Sequence, residues 1–271
     1  MTVDFDTGSA GLFLPGPSCP NCVGHHIYNP TQSSTAKDLG TNSALVYGKG
    51  EVKGELFTDN VSIGALEVSA CWSLVCAPTV ETEEPIQQAA NQTLLVASIY
   101  SDNFNSTYFG ADGLMGMAFK EISPFKAAPF SETLVDQGKL DEPVFGFYLA
   151  GSGSELIVGG RDSSRYSGNL TYVDVKKQVR ILYQCNVLCP CFNTDMTQGY
   201  WQTTFDAMSV NGNDISVSTQ DAVIDTGTTY ILGDQESISN IYAKIPGSAR
   251  LQSTGTGLWT STRSLTVTVA N

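Results

Sequence analysis

The sequence predicts an all-β protein with two similar lobes, and three observations support this prediction. Short apolar or alternating runs separated by turn residues recur along the chain, for example at residues 45–47, 61–63 and 265–269, and such runs are typical of strands. Glycine is abundant with 26 copies, whereas charged residues account for only 15% of the chain. The tripeptide Asp-Thr-Gly occurs twice, which suggests an internal repeat with one copy in each lobe.

Helices are predicted to be few and short. The clearest spans residues 234–245, where Asp234 can cap the start and the Pro246-Gly247 pair ends the helix. Its apolar face consists of Ile238, Ile241, Tyr242 and Ile245. A second helix is predicted over residues 131–137, ended by Gly138.

The two Asp-Thr-Gly copies lie in matching contexts. Residues 6–8 and residues 225–227 each follow an apolar stretch and precede a hydroxyl residue. One copy alone would be a weak motif, and an Asp-Gly turn after a strand is the alternative explanation. Two copies in the same context instead indicate a repeat that brings Asp6 and Asp225 together.

A pair of adjacent carboxylates has a definite chemistry. Two such groups cannot both ionise easily, so they share a proton over a range of acidic pH. The ionised member can activate a water for attack on a peptide carbonyl, while the protonated member stabilises the developing oxyanion. We do not assign the proton to Asp6 or Asp225, because it belongs to the coupled pair. This chemistry needs no metal and no other cofactor.

The residues beside the two carboxylates fit supporting roles. Gly8 and Gly227 allow a tight turn and a close approach of two loops. Ser9 and Thr228 are placed to hydrogen-bond the outer carboxylate oxygens and to fix their orientation.

The chain resembles the pepsin-like family of aspartic endopeptidases, of the fungal type that is secreted or vacuolar. The segments that carry the resemblance are, in order, residues 6–15 (DTGSAGLFLP), 28–35 (YNPTQSST), 47–50, 112–117 (DGLMGM), 156–168, 199–202 (GYWQ) and 222–232. The resemblance implies a bilobal, pepsin-like fold, with an N-terminal lobe over residues 1–150. Residues 151–271 would form the interlobe region and part of the C-terminal lobe. It also implies that the family's opening strands and the end of its second lobe are missing from this chain.

The resemblance also assigns a flap, a hairpin that closes over bound peptide. Tyr47, Gly48 and Lys49 occupy its tip. Lys49 is a departure, because this position is commonly Thr or Ser in the family. Phe13 is a second departure, since many members carry a Trp there whose ring nitrogen bonds the flap tyrosine. Phenylalanine has no donor, so the positioning of the flap is an open point.

Further roles follow from the resemblance alone. Thr7 and Thr226 would hydrogen-bond across to the opposite lobe. Phe109 and Leu114 resemble apolar walls of substrate subsites, which implies a preference for bulky hydrophobic side chains. Ordinary core packing is the alternative for these two residues. Thr229 is expected to contribute to substrate binding.

The seven cysteines are an odd number for a secreted protein. The resemblance implies a disulfide between Cys19 and Cys22. A zinc site with His25 and His26 is an alternative, because the spacing resembles a metal-binding pattern. A thioredoxin-like redox pair is another, although no βαβ pattern surrounds it.

The remaining cysteines all lie in two segments, residues 68–88 and 179–198, where the family resemblance is lost. They are Cys71, Cys76, Cys185, Cys189 and Cys191. Each segment opens with Val, whose codons begin GT, and closes with Gln, one of whose codons is CAG. Our hypothesis is that both are retained introns translated in frame, with poor packing and thiols that lack fixed partners. Genuine surface insertions with extra disulfides are the alternative.

Composition limits the partners. The chain has 27 acidic and 14 basic residues and a net charge of −13, which suits acidic conditions and argues against nucleic-acid or anionic-membrane partners. Polypeptide substrates and a monomeric state are expected. Sequons at Asn60, Asn91, Asn105 and Asn169 suit a secreted glycoprotein, with a vacuolar location as the alternative. No signal peptide or membrane span is evident in the sequence.

The sequence therefore predicts an aspartic endopeptidase that works at acidic pH through Asp6 and Asp225. One alternative is a protease-like binding protein without turnover. Another is a homodimeric protease of the retroviral type, although that architecture needs only one Asp-Thr-Gly per subunit. A third is a non-functional fragment.

Overall fold

The computed structural model describes residues 1–48, 50–64, 87–176, 178–182, 193–197, 199–250, 259–260 and 267–270. The chain divides into two compact units, Met1–Thr171 and Tyr172–Asn271. This boundary lies later in the chain than the predicted end of the first lobe at residue 150, and the assignment of lobes stays a prediction. Strands dominate both units, and the described residues contain only two α-helices. This composition confirms the predicted all-β class.

The first unit is built on a six-stranded sheet. Its strands are β1 (Val3–Asp6), β2 (Leu12–Pro15), β3 (Lys37–Tyr47), β4 (Gly50–Ile63), β5 (Gln87–Tyr100) and β6 (Gly113–Gly116). Their spatial order is β1-β6-β2-β5-β4-β3. Strand β1 runs parallel to β6 and β2 runs parallel to β5, whereas the other neighbouring pairs are antiparallel. The parallel pairing of β1 with β6 places the ends of these two strands side by side.

Side-chain alternation explains why this sheet is stable. Successive residues of a strand point to opposite faces, so a strand buried on both faces is apolar throughout. In β5, Leu95 and Ala97 belong to one buried cluster, whereas Leu94 and Val96 belong to a second. Strand β6 alternates likewise, with Leu114 in the first cluster and Met115 in the second. The sheet therefore separates two hydrophobic cores.

The second of these cores is covered by a helix and a hairpin. Helix α1 (Phe130–Asp136) begins one residue before its predicted start, and it buries Phe130 and Leu134. The hairpin consists of β7 (Phe145–Tyr148) and β8 (Glu155–Val158). Its apolar side chains pack on the same core. The sheet is thus shielded from water on that face.

The second unit is made of small sheets and one helix. Its elements are β9 (Gln178–Leu182), β10 (Asn193–Thr197), β11 (Gln202–Thr204), β12 (Ala207–Val210), β13 (Asn213–Ile215), β14 (Asp221–Val223), α2 (Gln235–Ala243), β15 (Ala249–Arg250), β16 (Trp259–Thr260) and β17 (Val267–Ala270). Strands β13, β12 and β17 form a three-stranded sheet, and the others pair as β9 with β10, β11 with β14 and β15 with β16.

Helix α2 confirms the clearest helix prediction. Asp234 caps its start, because a carboxylate oxygen of Asp234 accepts a hydrogen bond of 2.9 Å from the backbone N–H of Ser237. On the predicted apolar face, Ile241 and Ile245 are buried against Val210. The amphipathic pattern therefore holds this helix on a small core of its own.

The two segments without family resemblance lie largely outside the described residues. None of Cys71, Cys76, Cys185, Cys189 and Cys191 is among the described residues. Within the second segment, the backbones of β9 and β10 pair as antiparallel strands. The retained-intron hypothesis stays a hypothesis. Among the helices of the described residues, none has the length and apolar character needed to cross a membrane.

We expect Leu134→Ala to lower the free energy of unfolding by about 2–5 kcal/mol, because a fully buried leucine leaves a cavity in the core beneath α1. Val135→Ala is the matched control, since Val135 is 43% exposed on the same helix. The control should change stability by less than about 0.5 kcal/mol. Urea unfolding followed by circular dichroism would measure both, and equal effects would contradict the packing described for α1.

Candidate active site

The first Asp-Thr-Gly copy forms the turn between β1 and β2. Asp6 is the last residue of β1 and only 5% exposed. One of its carboxylate oxygens accepts the backbone N–H of Gly8 at 2.8 Å, and the other accepts the hydroxyl of Ser9. Because a buried charge is costly unless it is hydrogen-bonded, these local donors are what make the position tolerable.

The second copy has the same local geometry in its own unit. The backbone N–H of Gly227 donates to one oxygen of Asp225 at 2.9 Å, and the hydroxyl of Thr228 donates to the other. Asp225 and Thr226 are half-buried, and Thr229 is exposed. The two carboxylates are therefore held in the same way, each by one backbone N–H and one hydroxyl. The pairing of Asp6 with Asp225 across the two units remains a prediction.

The loop around Asp6 rests on β6. Asp6 lies opposite Gly116 in the parallel pair, and the carbonyl oxygen of Asp6 accepts the N–H of Met117 at 2.8 Å. A Cβ on Gly116 would lie 2.6 Å from the backbone nitrogens of Ala10 and Gly11. Glycine is thus required here by a close backbone approach.

The predicted flap is the hairpin of β3 and β4. Tyr47 pairs with Gly50 at its tip, and Gly48 is exposed there, whereas Lys49 lies outside the described residues. Burial raises the pKa of Tyr47, and the negative charge of Asp6 raises it further, while the Tyr47 ring packs beside Phe13 of β2, the strand that follows the Asp6 turn. The hairpin therefore brings a tyrosine hydroxyl towards the Asp6 loop.

The Tyr47 hydroxyl is buried and has no hydrogen-bond partner among the described residues. A contact with the Ser9 hydroxyl lowers the pKa of Tyr47, against the raising effect of burial. Phe13 lies beside the Tyr47 ring, with 5.8 Å between the ring centroids, and can donate nothing. A buried donor without a partner is unusual, and it leaves this hydroxyl available to a ligand.

Phe13 is fully buried at the centre of an aromatic cluster. Its ring meets those of Tyr100 and Phe104 edge-on, at 5.5 and 5.6 Å between centroids. Phe109, at 6.4 Å, is only half-buried, so one side of it remains accessible. Leu114 is 5% exposed and packs in the same core. Of the two predicted subsite residues, Phe109 is therefore the more accessible to a ligand, and their role in binding stays a prediction.

Ser101 holds the predicted flap hairpin close to its tip, a role that the sequence did not indicate. Its hydroxyl accepts the backbone N–H of Glu51 at 3.1 Å, and its own N–H donates to the carbonyl of Glu51 at 3.0 Å. These bonds fasten the flap strand directly after Gly50. A lone serine after a strand gives no signal for such a role.

Cys19 and Cys22 form the expected disulfide. Because their sulfurs are bonded to each other, they are not the thiolates that a zinc site would need. Both following histidines face a carboxylate instead, since the Nδ1 atoms of His25 and His26 lie 3.8 and 3.1 Å from Asp112. The zinc alternative is therefore not supported by the arrangement of these side chains.

A strand-rich chain that presents two hydrogen-bonded Asp-Thr-Gly carboxylates has the features of the aspartic protease class. The family described as eukaryotic aspartyl protease matches residues 1–260. The chain belongs to this family.

Relatives in other organisms agree. An aspartic protease from Phaffia rhodozyma is 32% identical over 257 residues, which cover 94% of this chain and 52% of that protein. Pepsin A from Canis lupus familiaris is 32% identical over 254 residues, covering 92% of this chain and 55% of the relative. Pepsin A from Bos taurus is 31% identical over 254 residues, covering 92% and 57%. The chain therefore spans about half the length of the relatives that it matches.

Gly116→Ala should destabilise the first unit by roughly 1–3 kcal/mol, because the new methyl group would meet backbone atoms that cannot move aside easily. Gly146→Ala in β7 is the control, since nothing lies within 4 Å of the position of its Cβ. Thermal unfolding of both variants would test this expectation. A Gly116→Ala protein as stable as the control would show that β6 does not lie tightly against the Asp6 loop.

Tyr47→Phe should leave stability unchanged or raise it by up to about 1 kcal/mol, because the lost hydroxyl is buried without a partner. Tyr28→Phe is a contrasting control, since that hydroxyl donates to the Asp59 carboxylate at 2.6 Å and its loss should cost about 1–3 kcal/mol. Chemical denaturation would compare the pair. A clear destabilisation by Tyr47→Phe would mean that its hydroxyl has a partner in the folded protein.

Proposed function

We propose that this protein is an aspartic endopeptidase that hydrolyses polypeptides at acidic pH, with Asp6 and Asp225 as its catalytic pair. The observation that carries the proposal is the repeated carboxylate geometry. In both copies one oxygen accepts a hydrogen bond from the glycine N–H two residues along, and the other accepts one from a hydroxyl three residues along. The same constraint applied twice favours a paired role over two unrelated turns.

The proposed reaction needs only these two groups and water. The ionised carboxylate takes a proton from the water as its oxygen attacks the peptide carbonyl carbon, and the protonated carboxyl gives its proton to the carbonyl oxygen. The carboxyl that took the water proton then gives it to the amide nitrogen, the other carboxylate takes a proton back from a hydroxyl of the tetrahedral intermediate, and the C–N bond breaks. Gly8 and Ser9 hold Asp6 in one orientation throughout, and Gly227 and Thr228 do so for Asp225.

The flap would complete this site when substrate binds. Tyr47 lies at the tip of a hairpin near Asp6, and its hydroxyl has no partner among the described residues. A bound peptide could supply that partner and be held over the carboxylate with water excluded. Thr7 and Thr226 would tie the two Asp-Thr-Gly loops together, while Phe109, Leu114 and Thr229 would contribute to subsites.

The setting of this activity is also a proposal. Three of the four sequon asparagines, Asn60, Asn91 and Asn169, are exposed, and Asn105 is half-buried. Exposure at these positions and the net charge of −13 suit a secreted glycoprotein that works in acid, with the vacuole as the alternative. We propose that it acts as a monomer, because the chain itself supplies both Asp-Thr-Gly copies.

One observation favours a second function, a peptide-binding protein without turnover. The residues flanking the second loop are apolar and exposed, with Ile224 at 58% and Ile231 at 68%, whereas Asp6 is 5% exposed. A carboxylate with such open surroundings is less shielded from water than its counterpart, and a shared proton depends on that shielding. Binding of peptide without hydrolysis would then be the remaining activity.

We expect the full chain to cleave a denatured protein substrate at acidic pH, with inhibition by a statine that mimics the tetrahedral intermediate. Asp6→Asn and Asp225→Asn should each lower the cleavage rate by at least about 10²-fold, because each removes a group that transfers a proton. Asp102→Asn is the matched control, since the same chemical change is made at an exposed aspartate outside the loops. Peptide release measured by mass spectrometry would follow the reaction.

Cleavage that persists in Asp225→Asn would exclude the two-carboxylate mechanism. Statine or peptide binding without cleavage by the unaltered chain would instead support the binding protein.

A further inference from the structure

Asp112 is a buried carboxylate that the proposed reaction does not use. It lies directly before β6 and is 4% exposed. Its oxygens accept the backbone N–H of Thr2 at 2.7 Å, the hydroxyl of Thr2 at 3.1 Å and the backbone N–H of His26 at 2.8 Å. The Nδ1 atom of His26 lies 3.1 Å away and that of His25 lies 3.8 Å away.

These contacts join three segments that are far apart in sequence. Thr2 leads into β1, His26 follows the disulfide loop, and Asp112 leads into β6. The backbone repeats the first connection, because the N–H groups of Asp112 and Gly113 both donate to the carbonyl of Thr2, at 3.0 and 3.1 Å. The carboxylate is thus the point at which the start of β1 is attached to its neighbours.

The attachment continues along the strand to the catalytic position. From Thr2 onwards β1 pairs in parallel with β6, beginning at Val3 opposite Gly113 and ending at Asp6 opposite Gly116. Strand β1 has only four residues, and β6 is its neighbour among the described strands. An anchor at Thr2, the residue directly before the strand, therefore acts on the register of all four pairs up to Asp6.

We propose that Asp112 is the positioning residue for Asp6, and that its protonation releases the start of β1 and sets an acid limit to the order of the active-site strand. The catalytic consequence rests on the function proposed above. The release of β1 does not, because it concerns only the first unit.

The direction of the pH effect follows from the environment of Asp112. Burial by itself would raise its pKa, but the hydrogen bonds from Thr2 and His26 outweigh burial, so the pKa lies below its ordinary value. The contribution of a carboxylate with a lowered pKa is fully present above the unfolded value of about 3.9 and is lost as pH falls through the folded value. Strand β1 should therefore be firmly held at pH 5 and loosen only in stronger acid.

The titratable groups that face Asp112 are few in the part of the chain that the structure describes. His25 and His26 face it from the disulfide loop, and Tyr100 of β5 donates its hydroxyl to the Asp112 carbonyl at 2.8 Å. The Met1 amino group precedes Thr2, and Asp4 lies in β1.

Asp59 provides a matched control. It is equally buried, at 5% exposure, and its pKa is also lowered despite burial, by hydrogen bonds from Thr35, Tyr28 and Ser33 and from a backbone N–H. None of these partners lies in β1. Replacement of Asp59 by Asn should therefore cost stability without a specific effect on Asp6.

The test is hydrogen exchange of the full chain, followed by mass spectrometry at pH 5, in the unaltered protein, Asp112→Asn and Asp59→Asn. In Asp112→Asn we expect the amides of residues 2–6 to exchange at least about tenfold faster, while those of β4 and β5 keep their protection. In Asp59→Asn residues 2–6 should be no more affected than the rest of the sheet. Equal exchange in residues 2–6 of both variants would overturn the proposal.

A pH series tests whether the protonation of Asp112, and not only its presence, controls the attachment of β1. After correction for intrinsic exchange, protection of residues 2–6 in the unaltered protein should fall between pH 5 and pH 2, whereas that of Asp112→Asn should stay flat. If Asp112→Asn does not fold, His26→Ala replaces it, because it removes the ring contact and keeps the backbone N–H. Residues 2–6 that remain protected down to pH 2 in the unaltered protein would refute the acid limit.

Peptidase kinetics separate this proposal from the proposed function. If the chain is active, Asp112→Asn should lower kcat with little change in KM, because it disturbs the position of Asp6 and leaves the flap intact. A chain without peptidase activity whose β1 is released in Asp112→Asn would refute only the proposed function. An active chain whose β1 exchange is unaltered in Asp112→Asn would refute only the role of Asp112.

Discussion

The burial of the Asp6 carboxylate is the constraint on which the first unit depends. A charge at 5% exposure needs hydrogen-bond donors within reach, and the turn supplies them from Gly8 and Ser9. That turn fits only because β6 passes beneath it at a residue without a side chain, Gly116. Strand β6 in turn is placed between β1 and β2 by a sheet that has a hydrophobic core on each face. The two cores therefore fix the position of β6, and β6 in turn fixes the position of the Asp6 loop.

The two Asp-Thr-Gly copies show which features are local and which are not. Their hydrogen bonds span two or three residues and are the same in both units, because the tripeptide and the following hydroxyl contain all the partners. Their surroundings differ, since Asp6 is buried and Asp225 is half-buried next to exposed Val223 and Ile224. The motif itself determines the local turn, whereas the burial of each aspartate depends on residues far away in the chain.

Phe13 packs beside Tyr47 in the predicted flap but offers it no hydrogen-bond donor. The ring fills the aromatic cluster fully, so packing is satisfied. It offers no hydrogen bond, and the neighbouring Tyr47 hydroxyl remains buried without a partner among the described residues. The β3–β4 hairpin is instead fastened close to its tip, where Ser101 bonds the backbone of Glu51, the residue after Gly50. The backbone is thus held near the tip, whereas the Tyr47 hydroxyl has no hydrogen-bond partner among the described residues.

The sequence by itself determined the strand-rich class, helix α2 with its Asp234 cap and the local turns that hold Asp6 and Asp225, because each of these depends on residues close together in the chain, whereas the disulfide partners followed from the family resemblance. Only the tertiary structure decided that Leu114 lies in the core, that Ser101 fastens the flap strand and that Asp112 binds Thr2. The last pair is 110 residues apart in sequence, and the histidines beside it gave only a false indication of zinc. Such contacts arise because β1 pairs with β6, a strand far away in the sequence, and a pattern of neighbouring residues does not predict which distant strands pair.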